Sequence, residues 1–173
     1  MAYHTNMNLD AVDAPCPADG PPDSAIELFY PNHLYYQWYN KTVRGNELLD
    51  ESIDFLLTRF NERCYDGALG FSQGGGMLTL FLVSCSAKKV KYPVKFVIIV
   101  GGVEPPSHPI LDSSENLLDI PSLHIIGRAD PLMARSERLL SFFSASKRQV
   151  LYHDEGHNFP SIRTGLYGAI SSW

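Results

Sequence analysis

A chain of 173 residues, 45% of them hydrophobic, is long enough to bury a core, and residues 1–173 read as a single domain. A net charge of −5 with scattered basic residues argues against a nucleic acid or an anionic membrane as partner. Cys16, Cys64 and Cys85 show no C-x-x-C spacing, which argues against a metal site and for a reducing compartment.

No apolar run approaches the roughly 20 residues of a spanning helix, and residues 1–8 lack the basic and apolar regions of a secretory signal. A cytoplasmic location is expected. Leu9 to Ala14 allows a short strand, stopped by Pro15. The following Pro15-Cys16-Pro17-Ala18-Asp19-Gly20-Pro21-Pro22-Asp23 is too rich in turn formers for regular structure. Phe29, Tyr30, Tyr35, Tyr36, Trp38 and Tyr39 form an aromatic block with neither helical nor strand periodicity. It suits either a cap lining an acyl pocket or a long loop pinned by its rings.

Asn46 is placed to cap a helix whose inner face would carry Leu49, Ile53, Leu56, Leu57 and Phe60, ending near Asn61. Tyr65 to Met77 then reads as a buried strand, a sharp turn and an apolar helix. Gly70-Phe71-Ser72-Gln73-Gly74 at the turn is a G-x-S-x-G pattern, the signature of a nucleophile elbow. Small residues belong there because strand and helix approach closely. The helix N-terminus favours negative charge developing near the serine. An elbow also predicts a positive φ at Ser72, a strained state costing about 1–3 kcal/mol.

The helix after the elbow, from about Gly75 to Ser84, is apolar nearly all round and expected to be buried. Lys88-Lys89-Val90-Lys91 reads as a solvated loop. Phe96 to Val100, ending at Gly101-Gly102, reads as a parallel strand covered on both faces. After the Pro-rich loop 103–109, Leu123 to Ile126 is a second buried strand. Ser136 to Phe143 is a helix with Leu139, Leu140 and Phe143 inward, and Gln149 to Tyr152 is a last strand. The alternation gives an α/β class with a mainly parallel sheet.

Active residues in such sheets sit on loops leaving the carboxyl ends of strands. Three loops qualify, carrying Ser72, Asp130 and His157 in the chain order that α/β-hydrolases use. A serine hydroxyl is a weak nucleophile until a base takes its proton. Imidazole, with an ordinary pKa near 6.5, suits that task, and a buried carboxylate fixes its tautomer. Each residue has a rival or a plainer role. Asp130 before Pro131 can simply start a turn, and Asp112, Asp119 and Asp154 are other acids. His157 can be a surface histidine, His153 ends a strand and is the rival base, and His124 inside a strand reads as a satisfied core residue. The Gln73 backbone N–H is the candidate oxyanion donor.

Four segments in order carry a family resemblance: Val12-Asp13-Ala14-Pro15, Gly67 to Gly74, Ile125 to Pro131, and Gly156-His157-Asn158-Phe159-Pro160. Together they resemble the FSH family of serine hydrolases, which includes the ovarian-cancer-gene-2-like proteins. The resemblance implies an α/β-hydrolase three-layer sandwich with a mainly parallel sheet. It implies esterase or thioesterase activity on small carboxylic substrates, no cofactor and no metal, and it matches Ser72, Asp130 and His157 to the family triad. Family members begin with a hydrophobic strand and a His-Gly loop that supplies a second oxyanion donor. About eleven polar-leaning residues precede Val12 here, so the usual first strand is expected to be lacking and the chain to be truncated at both ends. Losing one oxyanion donor costs about 10²–10³ in rate. The alternative function is a non-catalytic pseudoenzyme or interaction module on the same fold. A flavodoxin-like ligand-binding domain would need a phosphate-cradling loop, and none is visible. The oligomeric state is not legible.

Overall fold

The computed structural model describes residues 8–21, 27, 31–40, 46–112 and 117–161. Its centre is a four-stranded, all-parallel sheet of β3 (Gly67–Phe71), β4 (Phe96–Val100), β5 (Ser122–Gly127) and β6 (Arg148–His153), paired in that order. The register aligns Gly70 with Ile99, Val100 with Ile125 and Gly127 with His153. Consecutive parallel neighbours require right-handed crossovers, which return each connection over the same sheet face. All four carboxyl ends therefore open on one edge.

Three helices are described: α1 (Glu47–Glu62), α2 (Gln73–Ala87) and α3 (Met133–Leu139). Their apolar residues share one core with Val97 and Ile99 of the sheet. Helix α2 supplies its middle, with Met77, Leu80, Leu82 and Val83 at 0% exposure. Phe60 of α1 stacks on Phe81 of α2 at 5.3 Å between ring centroids. A smaller cluster of Val100, Leu123 and Ile125, with Phe71, Ile98 and Leu151 packed against it, lies on the other sheet face. Strand β5, central and buried throughout, thus has the continuous apolar character of a two-sided strand.

Several sequence expectations need correction. Residues 9–14 form no strand; Asp10 instead accepts hydrogen bonds from Arg63 (2.7 Å) and Tyr65 (2.6 Å). Those two donors, Tyr65 first, hold its carboxyl below the usual range. Strand pairing begins inside the supposedly irregular Pro-rich stretch, where β1 (Cys16–Pro17) pairs antiparallel with β2 (Tyr36–Gln37). Proline is tolerated because its carbonyl still accepts, here from Gln37 Nε2. Asn46 occupies the N-cap of α1 but makes no capping side-chain bond; Glu47 and Asp50 complement the helix dipole instead. Leu57, at the margin of the apolar stripe, is 37% exposed.

Helix α2 starts at Gln73, earlier than glycine propensities suggest, because the turn at Ser72 launches it. It ends where Lys89 takes φ +54° and its N–H caps Ser86. The predicted helix 136–143 is instead α3 from Met133 followed by a 3₁₀ turn, Leu140–Phe142. Leu139 and Phe143 point inward as expected, whereas Leu140 is half-buried. Phe29 and Tyr30 lie outside the described residues.

His124 is the core histidine that its strand position suggests. It is 2% exposed, with Nε2 3.1 Å from Ser122 Oγ and its ring edge-on to Phe143. Burial, aided by the nearby Arg148 charge, drives its pKa from 6.5 down to about 3. The unfolded chain therefore binds one more proton than the folded chain between those values. Stability held above pH 6.5 is lost as pH falls through that window, on the order of 1.4 kcal/mol per unit. Urea unfolding at pH 7 and pH 4.5 should show the parent losing about 2 kcal/mol more than His124→Gln. Equal losses would contradict this account of His124.

Candidate active site

The elbow is built by β3, the turn at Ser72 and the first turn of α2. Ser72 has φ 50° and ψ −117°, the positive-φ state expected of an elbow serine. Backbone contacts hold this strained state: the Ser72 N–H donates to Val100 O (3.1 Å), and its carbonyl accepts from Gly75 (3.1 Å) and Val103 (3.2 Å). The close approach requires glycine at position 70. A Cβ there would lie 2.7 Å from Gly75 Cα and 2.8 Å from Gly74 O, both backbone atoms that cannot swing aside.

Gly70→Ala should therefore displace the elbow, lowering stability by about 1–3 kcal/mol. Gly20→Ala, where nothing lies within 4 Å, is the matched control. Thermal melts on both variants check the expectation. A Gly70→Ala protein indistinguishable from the control would refute it.

Asp130 leaves the end of β5 and His157 sits on the loop after β6. His157 Nε2 lies 2.8 Å from Ser72 Oγ, and its Nδ1 lies 2.6 Å from Asp130 Oδ2. The Asp130 side chain is fully buried, while His157 keeps 25% of its side chain exposed. The second carboxylate oxygen, Oδ1, accepts the Leu132 N–H at 2.7 Å. Each carboxylate oxygen thus has a donor, which a buried charge needs. With the carboxylate accepting at Nδ1–H, Nε2 is left as the acceptor for the serine proton.

His157, not the rival His153, reaches the serine; His153 is buried at the end of β6, its Nδ1 4.0 Å from Glu155. Among the rival acids, Asp119 pairs with Lys147 and Asp154 with Arg128. No group of three or more His, Cys, Asp or Glu side chains that could hold a metal is present among the described residues.

The Gln73 N–H stands at the first position of α2, where a helix offers no internal acceptor, and it adjoins Ser72. Sequence reasoning missed what the Gln73 side chain does. Its Oε1 accepts the Trp38 N–H and its Nε2 donates to Tyr39 O, both at 2.9 Å. Ser52 Oγ donates to Trp38 O at 2.5 Å, and Tyr39 is 3% exposed. The described part of the aromatic block is therefore pinned to the first turn of the elbow helix. Trp38 Nε1 lies 3.5 Å from where a Gly74 Cβ would sit.

Gly101 was also missed as a site residue. It has φ +51°, and a Cβ there would lie 3.2 Å from His157 Cε1 and Nδ1. The Gly101-Gly102 pair at a strand's carboxyl end was the available signal. Phe71 packs against the imidazole at 5.1 Å between ring centroids, and Phe159 stacks on Phe71 at 5.2 Å.

A serine, a histidine and a buried carboxylate in hydrogen-bonded order suit acyl transfer. The family model described as Serine hydrolase (FSH1) matches residues 2–165. The chain is 34% identical to Esterase C25G4.2 of Caenorhabditis elegans over 103 residues, covering 57% of this chain and 46% of that protein. It is 30% identical to Esterase OVCA2 of Xenopus tropicalis over 125 residues, covering 70% and 52%. The chain thus spans about half the length of the curated relatives it matches.

Among solved structures, a carboxylesterase from Mesorhizobium loti superposes with a TM-score of 0.63 at 13% identity, over 92% of this chain and 73% of that one. Arabidopsis thaliana SOBER1 superposes at 0.54 and 14% identity, over 81% and 74%. These likenesses show the α/β-hydrolase fold, which the four parallel strands and their helices share. No helix among the described residues is long and apolar enough to cross a membrane. The match over 2–165, together with the elbow fold around Ser72, shows that the chain belongs to the FSH1 serine hydrolase family.

Proposed function

We propose that the chain hydrolyses small carboxylic esters or thioesters through a covalent acyl-enzyme on Ser72. The observation that carries this reading is the unbroken contact series from Ser72 Oγ through His157 to Asp130, 2.8 and then 2.6 Å. His157 Nε2 takes the Ser72 proton as Oγ attacks the acyl carbonyl. The carbonyl oxygen becomes an oxyanion beside the Gln73 N–H. The protonated imidazole, stabilised by Asp130, then gives its proton to the departing alkoxide or thiolate. A water molecule repeats the sequence on the acyl-enzyme, releasing the acid and restoring the serine. No cofactor is required.

The pinned segment around Trp38 supports an apolar acyl wall, since apolar pockets with few polar groups suit such substrates. One oxyanion donor, the Gln73 N–H, is assigned among the described residues. Such a donor contributes about 10²–10³ in rate. Hydrolysis of p-nitrophenyl acetate tests the proposal, because so activated an ester needs the least oxyanion help. A rate above buffer that saturates with substrate supports it. A folded protein with no rate above buffer favours the non-catalytic reading.

A further inference from the structure

The loop that presents His157 is closed by a carboxylate outside the triad. Glu155 Oε2 accepts from Asn158 Nδ2 (2.9 Å) and from the Ser161 N–H (3.0 Å), and Oε1 accepts from Ser161 Oγ (2.6 Å). His157 lies inside the ring so formed. The backbone of the same residue faces the other way: Glu155 O accepts the Ala129 N–H at 3.2 Å, one residue before Asp130. Gly127 allows this approach, since a Cβ there would lie 2.5 Å from Glu155 O and 2.4 Å from Gly156 O. The Arg128 N–H adds a bond to His153 O at 2.7 Å. One residue therefore folds the base loop with its side chain and fastens that loop to the acid loop with its carbonyl.

We propose that Glu155 is a positioning residue that holds the His157 ring between Ser72 and Asp130. A carboxylate suits the role because it only accepts, and all three groups aimed at it donate. Bonds to a charged acceptor are also stronger than neutral ones. Those donors, the Ser161 hydroxyl foremost, keep the Glu155 carboxyl below its ordinary range, so it stays ionised where imidazole works as a base. Without them the loop would have to be ordered against its own conformational entropy. His157, 25% exposed, has less packing to hold it than buried Asp130.

The inference rests on the hydrolase reading for its kinetic form, and a second readout frees it from that dependence. Glu155→Ala removes all three acceptor contacts at once, whereas a glutamine could keep both N–H donors on its oxygen and donate its NH₂ to a turned Ser161 hydroxyl. A displaced base should cost about 10- to 100-fold in kcat, with KM within twofold, because nothing that binds substrate is touched. Ser161→Ala removes the 2.6 Å bond and should cost about 3- to 10-fold. The double variant should be little worse than Glu155→Ala alone, since both act on one network.

A one-dimensional proton spectrum gives the independent readout. The far-downfield proton of the His157–Asp130 bond should be present in the parent and broadened or lost in Glu155→Ala. Parental kcat in both single variants, with the resonance kept, would overturn the proposal. If Glu155→Ala does not fold, Ser161→Ala decides: parental kcat and an unchanged resonance there overturn it equally. If the parent hydrolyses nothing, the hydrolase reading fails, yet loss of the resonance in the variants still supports positioning by Glu155.

Discussion

Ser72→Ala is expected to bring p-nitrophenyl ester hydrolysis down to the buffer rate. Removing the nucleophile from an intact triad costs about 10⁶ in kcat, against about 10²–10³ for a missing oxyanion donor. The alanine variant thus separates a weak esterase from a protein whose apparent rate comes from elsewhere. Folding should survive, because the backbone contacts of Ser72 to Val100 and Val103 do not use its hydroxyl. The comparison is a steady-state rate at matched protein concentration, with a thermal melt to show that the variant is folded. An alanine variant as fast as the parent would mean that Ser72 is not the nucleophile.

Asp130→Asn should cost about 10⁴ in kcat through the tautomer of His157. The Leu132 N–H, 2.7 Å from Oδ1, requires an oxygen at that position. It therefore turns the new amide so that its NH₂ faces His157 Nδ1, where Oδ2 now lies. Nδ1 must then accept, the ring proton moves to Nε2, and Nε2 can no longer take the serine proton. The side chain is nearly isosteric and keeps the Leu132 bond, so the melting temperature should change far less than the rate. Rates and melts on the purified variant decide it. An asparagine variant within tenfold of the parent would contradict the assigned tautomer.

The middle of the sheet was legible because β4 is a β-branched run followed by Gly101 and β5 carries Ile125-Ile126 before Gly127. Phe96–Val100 has the bounds read from the sequence, and β5 extends the expected Leu123–Ile126 by one residue at each end. Ser72, Asp130 and His157 were legible as candidates because Ser72 follows β3 at once and the other two sit on the short loops after β5 and β6, so parallel topology brings them to one edge.

What escaped was set by contacts distant in sequence. The aromatic block has no periodicity of its own because Gln73 and Ser52, 35 and 14 residues from Trp38, determine where it lies. The early start of α2 escaped because Gly74, Gly75 and Gly76 are poor helix formers; close packing requires two of them, Gly75 against Gly102 and Gly76, where a Cβ would lie 2.4 Å from Val103 O. Asn46 was legible as a helix start but not as a silent cap, since composition does not reveal where its side chain points. Glu155 looks like any loop acid until Ser161 and Asn158 are seen to converge on it.

The most direct test of Ser72 as an activated nucleophile is reaction of the folded chain with a fluorophosphonate, followed by mass spectrometry of its peptides. The account predicts one phosphonyl group, on the peptide containing Ser72, and none on Ser72→Ala. A folded chain that takes up no label, or takes it up elsewhere while Ser72 stays unmodified, would contradict it.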